Sequence, residues 1–360
     1  MTFQSVRILL DAQRVDIPEV LGSRLIAGGK ELKSSIRRPQ IGILFVLALC
    51  LIALPLVAQK SLPKPQKSSA LPPADRQKPG DKPIRVDVDL VLVNVTVTDP
   101  YNRLVTGLEE DSFRIYEDNV EQEVLHFSSE DVPVSIGLIF DMSGSMGHKV
   151  DKARLAALQF VKTANPQDEF FLIGFNDRAQ LISRFTSSVE ELQSRLMYMT
   201  SKGRTALLDA IYYGLAQMKG ARNTKRALLI LSDGGDNRSR YNERDIRNFV
   251  READVQMYAI GIFDPIGSRG QPELVSGPTL LNDLAEMTGG RAFTVESLND
   301  LPDIATKISM ELRNQYVVGY RPSNLDRDGK WRKIRVKVRP QKGLPPLNVY
   351  SKAGYYAPKH

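Results

Sequence analysis

Val134-Ser135-Ile136-Gly137-Leu138-Ile139-Phe140-Asp141-Met142-Ser143-Gly144-Ser145 is the stretch that decides the fold of this 360-residue chain. Its first seven residues carry no charge and read as a strand buried on both faces, the kind found in parallel sheets. The next five place side-chain oxygens at Asp141, Ser143 and Ser145, on the loop leaving the strand's C-terminal end. An all-oxygen set suits a hard divalent cation, Mg2+ or Mn2+, which keeps several waters and takes few carboxylates.

Working outward, Gly203-Arg204-Thr205-Ala206-Leu207 offers a hydroxyl at the start of a helical stretch, and the apolar run Leu228–Leu231 ends in Ser232-Asp233-Gly234. Residues 132–318 alternate strand and helix. Strands are expected at Val134–Phe140, Glu169–Phe175, Ala179–Phe185 (an edge), Arg226–Ser232, Gln256–Ile262 and Arg291–Val295. Helices are expected at Lys149–Thr163, Val189–Met199, Ala206–Lys219, Asn242–Arg251, Leu280–Thr288 and Leu301–Asn314. In the first helix Val150, Ala153, Leu155, Leu158 and Val161 are read as inward. This alternation predicts an α/β fold with a doubly wound, mostly parallel sheet and helices on both faces. Such sheets bind ligands beyond the strands' carboxyl ends, where strand order reverses. If Val134–Phe140 and Arg226–Ser232 are neighbours there, Asp141 and Asp233 converge. An Asp-x-Ser-x-Ser run also serves as a turn followed by a helix N-cap. That reading does not explain why the Thr205 loop falls between the two strands.

Asp141-x-Ser143-x-Ser145, then Thr205, then Asp233, resembles the metal-ion-dependent adhesion site of von Willebrand factor A (VWFA) domains, and all five positions match. The resemblance implies that Ser143 and Ser145 ligate the metal directly and Thr205 directly or through water. Asp141 and Asp233 would hold coordinated waters or bind directly. It also implies an acidic residue from a protein partner on the open metal position. Rim candidates are Met146, His148, Arg204, Asp236, Asn237 and Arg238. The wider chain is similar to a bacterial, acidobacterial-type VWFA-related family of exported proteins. The flanking signatures are Val105-Thr106-Gly107-Leu108, Phe113-Arg114-Ile115-Tyr116-Glu117-Asp118 and Gln315-Tyr316-Val317-Val318-Gly319-Tyr320.

Residues 1–40 read as a cytoplasmic tail. Ile41–Ala58 is an uncharged run of the minimum length for a membrane span, preceded by Lys30, Lys33, Arg37 and Arg38. An uncleaved transmembrane signal anchor and a cleaved signal peptide both fit. The anchor is preferred because Leu56-Val57-Ala58 is a mediocre cleavage site. Either way residues 60–360 are expected outside the cytoplasm, in the cell envelope or secreted. Cys50, the single cysteine, lies inside the apolar run and provides no disulfide. Residues 59–83 form a Pro/Lys-rich linker. The net charge of +7 owes much to the linker and the tail. Attraction to anionic lipid headgroups is its expected use. Nucleic acid is excluded as a partner because no basic patch is interleaved with aromatics.

Residues 84–131 and 319–360 carry strand patterns, and neither segment is large enough to bury a core alone. They are expected to pair into one small β-sandwich around the inserted domain. A β-bulge or break is expected near Leu92-Val93, where the apolar parity flips. Leu104–Leu108, Phe113–Glu117 and Glu123–Phe127 read as short strands, and Val349–Tyr356 as a last one. Trp331–Pro340 sets Ile334, Val336 and Val338 against Lys333, Arg335, Lys337 and Arg339. That reads as a half-buried strand with a solvated basic face; a specific anionic partner is the sharper alternative.

The expected function is metal-dependent capture of an acidic protein partner by a membrane-anchored adhesion protein that is not an enzyme. Two alternatives stand beside it. One is a structural envelope protein that assembles without metal. The other is a Mg2+-dependent hydrolase, for which Ser143 stands where a haloacid-dehalogenase-type enzyme needs a second acid.

Overall fold

The computed structural model describes residues 7–8, 90–262, 272–295, 297–339, 343 and 345–359. The central layer is a six-stranded sheet of β7 (Val134–Asp141), β8 (Glu169–Phe175), β9 (Ala179–Thr186), β10 (Lys225–Ser232), β11 (Gln256–Gly261) and β12 (Ala292–Thr294). Its order is β12-β11-β10-β7-β8-β9. Every neighbouring pair is parallel except β8–β9, which is antiparallel with shifts of register. The expected doubly wound, mostly parallel sheet is thus a mixed one, with central sheet and flanking helices as foreseen. β9 folds straight back from β8 across Asn176-Asp177-Arg178, too short a link for the crossover a parallel neighbour needs.

The helices are α1 (Val150–Lys162), α2 (Val189–Met197), α3 (Leu207–Met218), α4 (Glu243–Glu252), α5 (Pro272–Thr288) and α6 (Leu301–Arg313). α1, α2 and α6 cover one face of the sheet, and α3, α4 and α5 the other. α1 buries Val150, Ala153, Ala156, Ala157, Phe160 and Val161, a stripe of helical period. Leu155, expected inward, is 52% exposed, because it lies about 140° round the helix from Val150. α5 starts eight residues before the expected Leu280, passing through Pro278, whose breaking signal masked the first turns.

The flanking segments contribute the remaining strands. These are β1 (Arg7–Ile8), β2 (Val91–Thr98), β3 (Val105–Thr106), β4 (Phe113–Glu117), β5 (Val120–Gln122), β6 (Val124–Ser128), β13 (Tyr316–Tyr320), β14 (Trp331–Val338), β15 (Asn348–Ser351) and β16 (Gly354–Tyr356). Eight of them form two four-stranded sheets, β15-β2-β13-β6 and β16-β14-β4-β5, and β1 pairs with β3. Val93, Val95 and Val97 of one sheet share a core with Ile115, Ile334 and Val336 of the other. β2 begins at Val91 and runs unbroken through the expected bulge; the parity on its N-terminal side, at Ile84 to Asp89, lies outside the described residues. The last strand is two, β15 and β16, which sit in different sheets on either side of Lys352-Ala353.

Two buried polar sets join the sheets to the central layer. The Arg291 guanidinium pairs with Glu311 of α6, donates to Asn102 Oδ1 at 2.8 Å and lies over the Tyr350 ring at 4.6 Å. Gln315 donates to Thr96 at 3.0 Å and to the Tyr258 hydroxyl at 3.3 Å.

The membrane-anchored reading is corrected. Among the described residues no helix is long and apolar enough to cross a membrane. The proposed span, residues 41–58, lies outside the described residues, as does the linker at 59–83. Arg7–Ile8 pairs antiparallel with Val105–Thr106. The anchor, the membrane partner and the single-pass localisation are therefore not carried forward.

Candidate functional site

β7 and β10 are neighbours at the point where strand order reverses, with Phe140 opposite Leu231. Their ends thus bring Asp141 and Asp233 together, 0% and 1% exposed respectively. Asp141 is held on both oxygens. Oδ1 accepts the Ser143 N–H at 2.8 Å, and Oδ2 accepts the Ser232 hydroxyl at 2.6 Å. Ser232 thereby stitches the two strand ends; sequence reading passed it over, although it stands immediately before Asp233. The Ser143 and Ser145 hydroxyls lie 3.0 Å apart.

The Thr205 loop is docked by its backbone. Gly144 N–H donates to the Gly203 carbonyl at 3.0 Å, and Lys202 N–H to the Met142 carbonyl at 2.8 Å. Gly203 has φ +84°, and a Cβ there would stand 2.6 Å from Asp177 Oδ2, so only glycine fits. On its other side the Thr205 carbonyl accepts the N–H groups of Asn237 and Arg238, and Asn237 Oδ1 accepts the Thr205 N–H at 3.0 Å. Asp141, Ser143, Ser145, Thr205 and Asp233 therefore lie on three loops tied to one another. Of the expected rim, Arg204, Asn237, Arg238 and His148 are exposed and Asp236 is half-buried. Met146 is instead fully buried in the core beneath the loop.

Burial raises the Asp141 carboxyl to about 7; repulsion from Asp233 adds to the rise, and the Ser143 and Ser232 hydrogen bonds oppose it. The positive charge in the crevice is Lys149, which the sequence reading took only as a helix start. Its ammonium is 3.4 Å from Asp233 Oδ2, and the residue is 4% exposed.

The metal expectation is corrected on this geometry. Each Asp141 oxygen accepts one protein hydrogen bond, and Asp233 Oδ2 faces the Lys149 ammonium. Among the described residues no three or more His, Cys, Asp or Glu side chains gather as a metal-holding group. Asp233 Oδ1 is a buried acceptor without a hydrogen-bond partner among the described residues. Metal-dependent capture of a partner's acid is therefore not carried forward.

The sequence profile of the von Willebrand factor type A domain matches residues 136–235. A VWFA-like domain is present. The match spans β7 to β10, the strands that carry the crevice. Inter-alpha-trypsin inhibitor heavy chain H4 of Homo sapiens is 26% identical over 142 residues, 36% of this chain and 15% of that protein. Cuticlin-6 of Caenorhabditis elegans is 27% identical over 206 residues, 51% of this chain and 31% of that protein. The chain thus spans about a third or less of these two relatives. Among solved structures, proximal thread matrix protein 1 from the mussel byssus aligns with TM-score 0.45 and 18% identity, over 55% of this chain and 51% of that one. BatB from Bacteroides thetaiotaomicron aligns with TM-score 0.41 and 18% identity, over 49% of this chain and 98% of that one.

A crevice of about 870 Å³ lies at the opposite ends of these strands, lined by Lys225, Gln256, Met287, Trp331 and Tyr356. It contains none of the five expected site residues.

Proposed function

We propose that this chain is a structural assembly protein that holds a protein partner without a metal ion. The supporting observation is the buried Lys149–Asp233 pair: the crevice carries its own counter-charge, fixed on α1's approach to the sheet. Asp141, Ser143, Ser145, Thr205 and Asp233 then act as the polar floor that sets three loops in place. The loops' exposed residues, among them Arg204, Asn237 and Arg238, form the surface offered to a partner. In this reading residues 132–318 are the VWFA domain, and residues 84–131 with 319–360 form its β-sandwich. The finer kinship, to the acidobacterial-type group, belongs to the same proposal and rests on the flanking signatures at residues 105–108, 113–118 and 315–320.

The test is assembly in native extract, read by cross-linking and size-exclusion chromatography, with excess EDTA or with added Mg2+. Complexes that keep their size and amount in EDTA are expected. Dissociation in EDTA, reversed by Mg2+, overturns the reading.

A further inference from the structure

We propose that the outer face of the β16-β14-β4-β5 sheet is a docking surface for an extended acidic polypeptide with carboxylates at alternate residues. The face is a ladder of cations. Along β14 and just beyond it, Lys333, Arg335, Lys337 and Arg339 are all exposed, while Ile334 and Val336 between them, and Arg332 before them, are buried and Val338 is half-buried. On the neighbouring strand Arg114 stands directly opposite Lys337, and Tyr116 opposite Arg335.

Like charges directly opposite one another across an antiparallel pair destabilise the sheet. Folding alone gives no reason to set Arg114 against Lys337. The chain relieves only part of the repulsion: Arg114 pairs with Glu121 at 2.5 Å, and the Lys337 ammonium lies 5.0 Å over the Tyr116 ring. Among the described residues the side chains of Lys333, Arg335 and Arg339 have no acidic partner within ion-pair distance. Asp118 is near, but its Oδ1 accepts the main-chain N–H of Lys333 at 2.9 Å. A row of cations without acidic partners among the described residues, set at the regular period of a strand, suits an anionic polymer.

The aromatic rings decide which polymer. Single-stranded nucleic acid is held by stacking its bases on open aromatic faces. Here Tyr116 is covered by Lys337, and Trp331 packs against Tyr356 at 5.0 Å with Arg251 at 5.7 Å over its ring. Tyr356 is 39% exposed but stands opposite Trp331, beyond the Lys333 end of the ladder, so among the described residues no open ring lies between its cations. What remains is charge at the period of a strand, about 6.8 Å between alternate side chains. An extended peptide repeats its carboxylates at that same spacing, so each glutamate meets one cation in register. Arg335 and Arg339 add forked donors matched to carboxylate oxygens.

The proposal rests on the assembly reading only in taking the partner to be a protein. Its test is run entirely in EDTA, so the metal question does not enter, and its failure leaves the assembly result standing. The full chain is titrated into a labelled peptide of alternating glutamate and threonine and read by fluorescence anisotropy. A peptide of the same composition with its glutamates in one block, and an oligothymidylate of equal charge, serve as comparisons. Tightest binding to the alternating peptide, weakening as salt rises, is expected. Arg335→Glu, at an exposed position, is expected to keep its melting temperature and to weaken that binding on the order of tenfold. Lys333→Glu repeats the reading at a second position. Equal or tighter binding of the block peptide or the oligothymidylate overturns the proposal, as does undiminished binding by both variants.

Discussion

Replacing Lys149 with methionine tests whether the crevice's counter-charge is built into the chain. Methionine keeps the length of the stem and removes the ammonium that stands 3.4 Å from Asp233 Oδ2. At an effective dielectric constant of about 20 that separation corresponds to ~5 kcal/mol of attraction. Both residues are at least 96% buried, so water does not replace the lost partner. Breaking one side of a buried pair costs about 3–5 kcal/mol, since the remaining carboxylate is stranded. Asp141, already destabilised as an anion by burial and by Asp233, offers no relief. At about 2–4 °C per kcal/mol for a domain of this size, the melting temperature falls by about 6–20 °C. Thermal unfolding by circular dichroism in EDTA measures this. Adding Asp233→Asn to Lys149→Met should recover much of the loss, because the stranded charge is gone. A variant that melts within about 1 °C of the parent refutes the reasoning. So does a parent whose own melting temperature drops in EDTA and returns with Mg2+, since the neutralising charge would then be a bound ion.

Two further outcomes follow from other buried charges. Arg291→Leu strands Glu311, which is 0% exposed and whose carboxyl burial already pushes up, and removes the link to Asn102. A loss of about 3–5 kcal/mol by urea unfolding is expected. An unchanged midpoint would show that the sheets dock onto the central layer by apolar contact alone. Lys225 is 5% exposed, and burial lowers its pKa to about 8. A lysine depressed in the folded state releases its proton on folding, so stability is reduced below pH 8 and rises as pH climbs from about 8 towards 10.5. The rise is on the order of 3 kcal/mol, at 1.36 kcal/mol per pKa unit. Lys225→Met should flatten that limb of the stability curve; a limb of unchanged slope would locate the titration elsewhere.

How much the sequence alone revealed can be seen at the two strand ends. Val134–Phe140 and Leu228–Leu231 are apolar on both faces, which only a sheet covered by helices satisfies. Both strands, the helices between them and the meeting of Asp141 with Asp233 were therefore legible. So was the alternation of Lys333 to Arg339 against Ile334 and Val336, because a strand turns every second side chain outward. Leu155 and the early start of α5 were misread, since local pattern does not fix a helix's rotation and Pro278 imitates a stop. The chemistry of the crevice was decided only in three dimensions. A motif names oxygens but not what those oxygens already hold. Ser232 on Asp141 comes from the register of β7 against β10, and Lys149 beside Asp233 from the path of the loop into α1. Those contacts join residues 84 to 91 positions apart, and no local spacing encodes them.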